Sequence, residues 1–160
     1  MLAVPSLPAL DIPGAWKTTA ESRTCSRFTG RLRLHGQDID VGVRVERCVA
    51  GRLREAYPAG AGDLEVRIDR IDGIDGGCPH DTLAELLRTL VDAVRAADPR
   101  CRRIVYAAAE DDQDAIAAAT AAGFRPVVAV DLGEQQLGLL VVEPDRGSAI
   151  DTDLDHVPGT

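Results

Sequence analysis

The side chains best suited to catalysis lie in a loop rich in glycine and aspartate and in the segment before it. This loop, DGIDGGCPHD at positions 72–81, contains His80, whose imidazole can titrate near neutral pH, and Cys78, a thiol that a helix N-terminus can activate. Glu65 precedes the loop on the polar face of an alternating segment, where its carboxylate is a candidate general base. The competing interpretation makes Glu65 a surface carboxylate paired with arginine and His80 a solvated loop residue.

Metal chemistry is not favoured by the spacing of the potential ligands. Aspartates recur at every third position, Asp69, Asp72 and Asp75, whereas a calcium loop uses alternate residues. The four cysteines lack the C-x-x-C spacing that grips zinc. We therefore expect no metal and four reduced, mostly buried thiols, at Cys25, Cys48, Cys78 and Cys101.

Length and charge limit the class of protein. The 160 residues suit one domain, and no apolar run reaches the roughly 20 residues of a membrane span. Residues 17–54 carry nine Lys or Arg against four Asp or Glu, while the remainder carries nine against 22. This overall acidity argues against nucleic acid as a partner. We expect a cytoplasmic protein that binds neither nucleic acid nor membrane.

Alternating segments predict strands in the first half of the chain. Apolar residues alternate with polar ones in 31–34, 39–46 and 64–69, the pattern of strands with one buried face. His35-Gly36-Gln37 separates the first two and predicts a hairpin. Between Ile68 and Ile71 the parity changes, as a β-bulge would require.

Helix and strand patterns alternate in the second half. A helix is expected over 82–97, with Thr82 and Glu85 as a capping box, and another over 113–122 that stops at Gly123. Strands are expected over 104–108, 127–132 and 137–142. This order predicts an α/β (α+β) fold with a mixed, mostly antiparallel sheet and crossing helices.

The ends of the chain have a different composition. Residues 1–16 are rich in proline and predict an extended arm, which Trp16 could pin. Residues 145–160 are polar, acidic and rich in turn formers, so we expect a disordered tail. A single domain over 17–144 lies between them.

The order of elements over residues 63–143 resembles the GCN5-related N-acetyltransferases, proteins of the acyl-CoA N-acyltransferase fold. In that family a bulged strand, a glycine-rich loop and a helix N-terminus hold the pyrophosphate of coenzyme A. In this chain residues 64–71 resemble the family's bulged strand. Residues 112–124, which end in Gly123-Phe124, resemble the family's next helix. The resemblance also implies a V-shaped gap for the pantetheine arm, expected between the third-to-last strand and its successor.

The pyrophosphate loop can be aligned in two registers. Arg70-Ile71-Asp72-Gly73 fits the family pattern of Gln or Arg, two residues and Gly, but Asp75 then stands at a small-residue position. The register 76–81 fits the helix start better and places Pro79 and Asp81 at small positions. The resemblance implies that backbone N–H groups here bind phosphate. The implied cofactor-binding residues are Ile71, Gly73, Gly76, Gly77, Cys78 and, from the second helix, Asp112.

The second helix departs from the family at a catalytic position. The family commonly has a tyrosine four residues before Gly-Phe that protonates the departing thiolate, and Ala119 stands here. Tyr57 and Tyr106 are the alternative acids. The family's two N-terminal helices also have no counterpart, because residues 27–54 have strand patterns. The polar strand face would then be open or covered by a second subunit.

The resemblance implies an N-acyltransferase that moves an acetyl or other acyl group from acyl-CoA to an amine of a small molecule or protein. Glu65 and His80 are its candidate catalytic residues. The alternative is a catalytically silent module of the same fold that acts through protein contact, homodimerisation or ligand sensing. Ala119 and the acidic loop motivate that alternative.

Overall fold

The described residues form one mixed sheet of seven strands. The computed structural model describes residues 7, 10, 12, 16–34, 39–72, 80–99 and 101–143. The strand order is β1-β2-β3-β4-β5-β7-β6, and only β4 and β5 are parallel. The predicted fold class is thus confirmed. The elements are β1 (Trp16–Arg23), β2 (Arg27–Leu34), β3 (Asp40–Arg47), β4 (Leu64–Asp72), α1 (His80–Ala97), β5 (Ile104–Ala109), α2 (Gln113–Ala121), β6 (Arg125–Leu132) and β7 (Gln135–Val142).

Both helices pack on one face of the sheet and close the main core. The apolar side of α1 buries an unbroken leucine and valine stripe against the apolar residues of β2 to β5. At the N-terminus Leu7 and Ile12 join this core, and the Leu7 N–H donates to the Cys25 carbonyl at 2.7 Å. The stripe residues are Leu83, Leu86, Leu87, Leu90, Val91 and Val94.

The structure confirms the predicted β-bulge in β4 and the predicted end of α2 at Gly123. Val43 pairs with Ile68 but Gly42 pairs with Arg70, so Asp69 is the extra residue of a bulge in β4. At the end of α2 the Phe124 N–H donates to the Ala119 carbonyl, and Gly123 has φ +102°. This is a Schellman stop, which needs a residue that accepts positive φ.

Several sequence expectations were wrong in detail. Helix α1 begins at His80, so Thr82 lies inside the helix and is not its cap. Trp16 is buried in the core and is also the first residue of strand β1, which was not expected. The strand sequence, WKTTAESR, has only one buried residue and so no alternating apolar signal. The strand pattern expected over 27–54 ends at Arg47 and is followed by a 3₁₀ turn at Cys48–Ala50. The turn at 35–37, the proposed tail, and the proposed arm apart from Leu7, Leu10, Ile12 and Trp16 lie outside the described residues.

The opposite face of the sheet is covered by the connection between β3 and β4. We call residues 48–63 the covering segment. Its Leu53 and Tyr57 pack on Val105, Leu139 and Val141 to form a second apolar cluster. The chain itself therefore covers the face at β4, β5 and β7 that was expected to be open or to receive a second subunit.

The three described cysteines match the expectation of reduced, mostly buried thiols. Cys48 and Cys101 are buried, and Cys25 is exposed; these three are free. Burial raises the pKa of the Cys101 thiol to about 12 and also raises that of Cys48, so neither is a ready nucleophile. Cys78 lies outside the described residues.

A buried ion pair fixes the start of the covering segment to the end of α1. The Arg47 side chain is 1% exposed, and its Nη1 lies 2.7 Å from Oδ2 of Asp98 and donates to the Gly62 carbonyl at 2.8 Å. Arg47 therefore joins β3, α1 and the far end of the covering segment. Removing one partner of such a pair leaves an uncompensated charge in the interior.

Arg47→Met should lower the free energy of unfolding by about 3–5 kcal/mol, because it removes the buried cation that pairs with the Asp98 carboxylate. The double variant Arg47→Met/Asp98→Leu removes both charges and should recover most of that loss. Urea unfolding followed by circular dichroism measures both. Equal losses in the single and double variants would contradict the assignment of the effect to a buried carboxylate that has lost this cation.

Candidate active site

Strands β4 and β5 diverge soon after they meet. They pair in parallel only where Leu64–Val66 face Ile104–Tyr106, although β4 continues to Asp72 and β5 to Ala109. Beyond these pairs the two strand edges no longer bond to each other, so an extended ligand with amide groups could bond to them. The gap was expected one strand later in the chain. That placement was wrong, because β7 lies between β5 and β6.

Small residues of β5 and the first residues of two helices lie around this gap. The three residues of β5 beyond its pairing with β4 are all alanine, Ala107, Ala108 and Ala109. They alternate between the two faces of the sheet, so that Ala108 packs in the main core and Ala107 against the second apolar cluster. Because β4 and β5 are parallel, α1 and α2 begin at the same end of the sheet. The N-terminal N–H groups of a helix favour an anion, but at α2 the acidic residues Asp111, Asp112 and Asp114 oppose this effect.

The cofactor residues implied by the resemblance fall into two groups. Gly73, Gly76, Gly77 and Cys78 lie outside the described residues. The Ile71 backbone belongs to β4 and pairs with Val41. Asp112 is the N-cap of α2: its Oδ1 accepts from the Ala115 N–H at 3.1 Å while the residue remains exposed.

His80 is the first residue of α1, which corrects its placement in the loop. It is followed by Asp81 in the first turn. The backbone of His80 thus belongs to the helix end that the resemblance associates with phosphate. Nothing here assigns it a catalytic role.

Glu65 does not lie on a solvated face. It is 0% exposed and accepts from Arg52 through two donors, Nη2 to Oε2 at 2.7 Å and Nε to Oε2 at 3.1 Å. The sequence predicted that Glu65 could be a surface carboxylate paired with an arginine. The arginine partner is confirmed, but the position at the surface is wrong. Burial raises the pKa of Glu65, and the hydrogen bond and charge of Arg52 oppose that rise. Arg67 opposes it as well, whereas Glu46 adds to it.

Glu65 sits close to the base of the gap. It faces Val105 in the parallel pairing, and the next pair, Val66 with Tyr106, is the last before the strands diverge. The carboxylate therefore lies on the face of the sheet under the covering segment. A buried carboxylate at this position can bind a cation or accept a proton.

Among the tyrosines, only Tyr106 lies at the gap. Its ring meets Phe124 edge to face at 6.2 Å, and burial, with a smaller effect of the Asp112 charge, raises its pKa to about 12. A phenol with so high a pKa is a poor proton donor to a thiolate, whose conjugate acid is much stronger. The Tyr57 hydroxyl instead accepts from Nη1 of Arg103 at 3.1 Å. Ala119 is fully buried in the core, so its position faces the interior.

An acidic cavity of about 670 Å³ opens beyond the end of β5. Ala109 lines it together with the turn before α2 and the β6–β7 hairpin. Its lining carries four carboxylates and no cation, namely Glu110, Asp111, Asp131 and Glu134. Such a surface repels anions and favours cations.

Two absences hold for the described part of the chain. No group of three His, Cys, Asp or Glu side chains there could hold a metal ion. No helix there is long and apolar enough to cross a membrane.

The fold is similar to solved acetyltransferase structures, at low sequence identity. Aminoglycoside acetyltransferase AAC(6')-Ib, in complex with coenzyme A and kanamycin, has a TM-score of 0.62 and 16% identity over 80% of this chain and 72% of that one. RimJ of Mycobacterium smegmatis, in complex with CoA-disulfide, has a TM-score of 0.53 and 12% identity over 84% and 56%. An uncharacterized protein of Bacillus halodurans has a TM-score of 0.64 and 16% identity over 75% and 60%. No protein-family model and no curated protein sequence matches the chain.

The chain therefore has the acyl-CoA N-acyltransferase fold. The resemblance to the GCN5-related N-acetyltransferases is confirmed as a likeness of fold. The order of strands, the bulge in β4 and the divergence of β4 from β5 are the features that support it.

The raised pKa of Tyr106 gives a pH dependence with a defined sign. Its neutral form is favoured in the folded state, so this stabilisation is complete below pH 10 and is lost as the pH rises through about 12. Between pH 9 and 11.5 the wild type should lose about 2 kcal/mol more unfolding free energy than Tyr106→Phe. Urea unfolding at both pH values tests this, since other alkaline effects are common to the two proteins. Parallel losses would contradict the burial of a neutral phenol.

Proposed function

We propose that the chain is an N-acyltransferase that transfers an acetyl or other acyl group from acyl-CoA to a small-molecule amine. The observation that carries the proposal is the divergence of β4 and β5 after three residue pairs. It leaves two strand edges to which the amide groups of an extended arm could bond. The similar structures AAC(6')-Ib and RimJ are complexes with coenzyme A or its disulfide, which supports this choice of ligand.

The phosphate end would be bound where the helices begin. Gly73, Gly76, Gly77 and Cys78 precede α1, and their backbone N–H groups are the proposed donors. Ile71 would contribute its backbone from the end of β4. Asp112 would act at the start of α2 through the helix end that it caps. The bound thioester would supply an activated acyl carbon.

Glu65 is the proposed general base. It would accept the proton that the amine loses as the nitrogen bonds to the acyl carbon and the carbon–sulfur bond breaks. Its raised pKa suits this role better than that of an exposed glutamate would. Tyr106 would remain protonated and donate a hydrogen bond. His80 stays a second candidate, through the position of its backbone at the helix start.

The acceptor is proposed to be cationic. AAC(6')-Ib is an aminoglycoside acetyltransferase, and its complex contains kanamycin. In the present chain the carboxylates around the end of β5 disfavour an anionic acceptor. None of the similar structures supports the silent-module alternative.

Titration calorimetry with acetyl-CoA and with CoA tests the ligand. The wild type should bind with a Kd below about 1 mM, the upper range for enzyme substrates. Gly77→Glu should weaken binding at least about tenfold, because its carboxylate would face the phosphates. Ala96→Glu, with the same charge change at an exposed position near the end of α1, is the matched control. No heat with either ligand at millimolar concentration would reject the proposal.

Replacement of the proposed base tests the chemistry. Glu65→Gln should lower kcat for acetyl transfer to a responsive amine by about 10² or more, the usual contribution of a general base. Its Kd for CoA should stay within about twofold, because the carboxylate lies outside the phosphate region. The acidic limb of the wild-type kcat profile should lie above the ordinary pKa of glutamate, since burial raises it. An unchanged kcat in the variant would remove Glu65 from the mechanism.

A further inference from the structure

The two partners of the ion pair between Arg52 and Glu65 differ in their exposure to solvent. The Glu65 side chain is 1% exposed and belongs to a central strand, whereas the Arg52 side chain is 27% exposed and belongs to the covering segment. Three contacts join them, with Nη2 to Oε2 at 2.7 Å, Nε to Oε2 at 3.1 Å and Nε to Oε1 at 3.4 Å. The anion is thus fixed and enclosed, and its cation comes from the surface.

The nearby charges make Glu65 dependent on a cation. An isolated carboxylate in the interior is strongly unfavourable. The residue opposite on β3 is Glu46, a second buried carboxylate, which is engaged by Arg27 at 3.3 Å. Arg67 follows on β4 and has partners of its own. Among the hydrogen bonds of the described residues, those to the Glu65 carboxylate come from Arg52.

Arg52 can leave without dismantling the segment that carries it. Leu53, the next residue, is fully buried in the second apolar cluster, and Tyr57 is held there by Arg103. These contacts anchor the segment independently of the guanidinium. The partly exposed arginine head can turn into water on its flexible stem. The Glu65 carboxylate, at the base of the gap, would then face the space that the guanidinium had filled.

We propose that the Glu65 carboxylate is a binding site for an alkylammonium ion, and that Arg52 occupies this site until such an ion replaces it. The inference rests on the proposed function only in that the ion would be the amine acceptor. An ammonium group can reproduce the charge and two N–H donors of the guanidinium. Exchange of one cation for another avoids ever leaving Glu65 unpaired. A neutral or anionic acceptor could not displace Arg52 in this way.

Cation rescue of Arg52→Ala tests the site directly. The probes are n-propylammonium and trimethylpropylammonium, which has the same charge but no N–H donor, at equal ionic strength. Propylammonium at saturation should raise the Tm of Arg52→Ala by about 3 °C or more, and the quaternary ion should shift it by less than about 1 °C. Arg52→Ala/Glu65→Gln should respond to neither ion.

A neighbouring arginine provides the matched control. Arg54 lies on the same segment and donates to the Gly51 carbonyl through Nη1. Arg54→Ala should show no difference between the two probes. If Arg52→Ala is unfolded without ligand, recovery of its folded far-UV spectrum in propylammonium alone supports the site. Equal effects of both ions, an unchanged response after Glu65→Gln, or no rescue at all would overturn it.

The outcome is separable from that of the proposed function. The rescue needs no acyl-CoA and no turnover, so it can succeed even if calorimetry finds no acyl-CoA binding. Acyl transfer can likewise occur without any rescue of Arg52→Ala. In that case the acceptor amine binds elsewhere and the assignment of the cation site fails alone.

Discussion

Three parallel residue pairs between β4 and β5 hold the two parts of the sheet together. On one side lie β1 to β4, joined in sequence by antiparallel pairing, and on the other lie β5, β7 and β6. The divergence beyond Val66 and Tyr106 creates the gap, so the joint that holds the sheet together also limits how wide the gap can be. Helix α1 connects β4 to β5. It packs on the apolar face of both strands and so keeps the two parts of the sheet aligned.

The buried charges gather around one region. Five charged residues are buried in the described part of the chain. Four of them lie at an end of the covering segment or within two residues of it: Glu46, Arg47, Asp63 and Glu65. The fifth, Asp98, pairs with Arg47 from the end of α1. A segment with little regular structure gains a fixed position when its ends are tied by charges that cannot be left unpaired. The role proposed for Arg52 requires such a fixed frame.

Much of the fold was readable because it depends on local patterns. Alternation gave β2, β3 and β4, the parity change at Asp69 gave the bulge, and Gly123 gave the end of α2. Strand β1 was missed because its exposed threonines and charged residues carry no period. The burial of Glu65 was also missed. Alternation says which face a residue occupies, but the cover over that face comes from a segment without periodicity, and Arg52 is 13 residues away.

The site was predictable only in part. The gap follows from how two apolar strands meet, and neither strand's composition reveals where their pairing ends. The gap was therefore misplaced by one strand, although the element order that implies it was correct. Asp112 was linked to the cofactor through its position in the helix, and the structure adds that it caps this helix.

The covering segment also has a consequence for how the chain reaches its native state. It connects two adjacent antiparallel strands, so its contacts with β3 and β4 close short loops. Short loops cost little chain entropy to close and form early. The pairing of β4 with β5 instead encloses the whole of α1, and the burial of Leu7 against the sheet brings together residues far apart in sequence. The covering segment reaches its full packing over Glu65 only later, because Leu53 and Tyr57 pack on Val105 of β5 and on Leu139 and Val141 of β7.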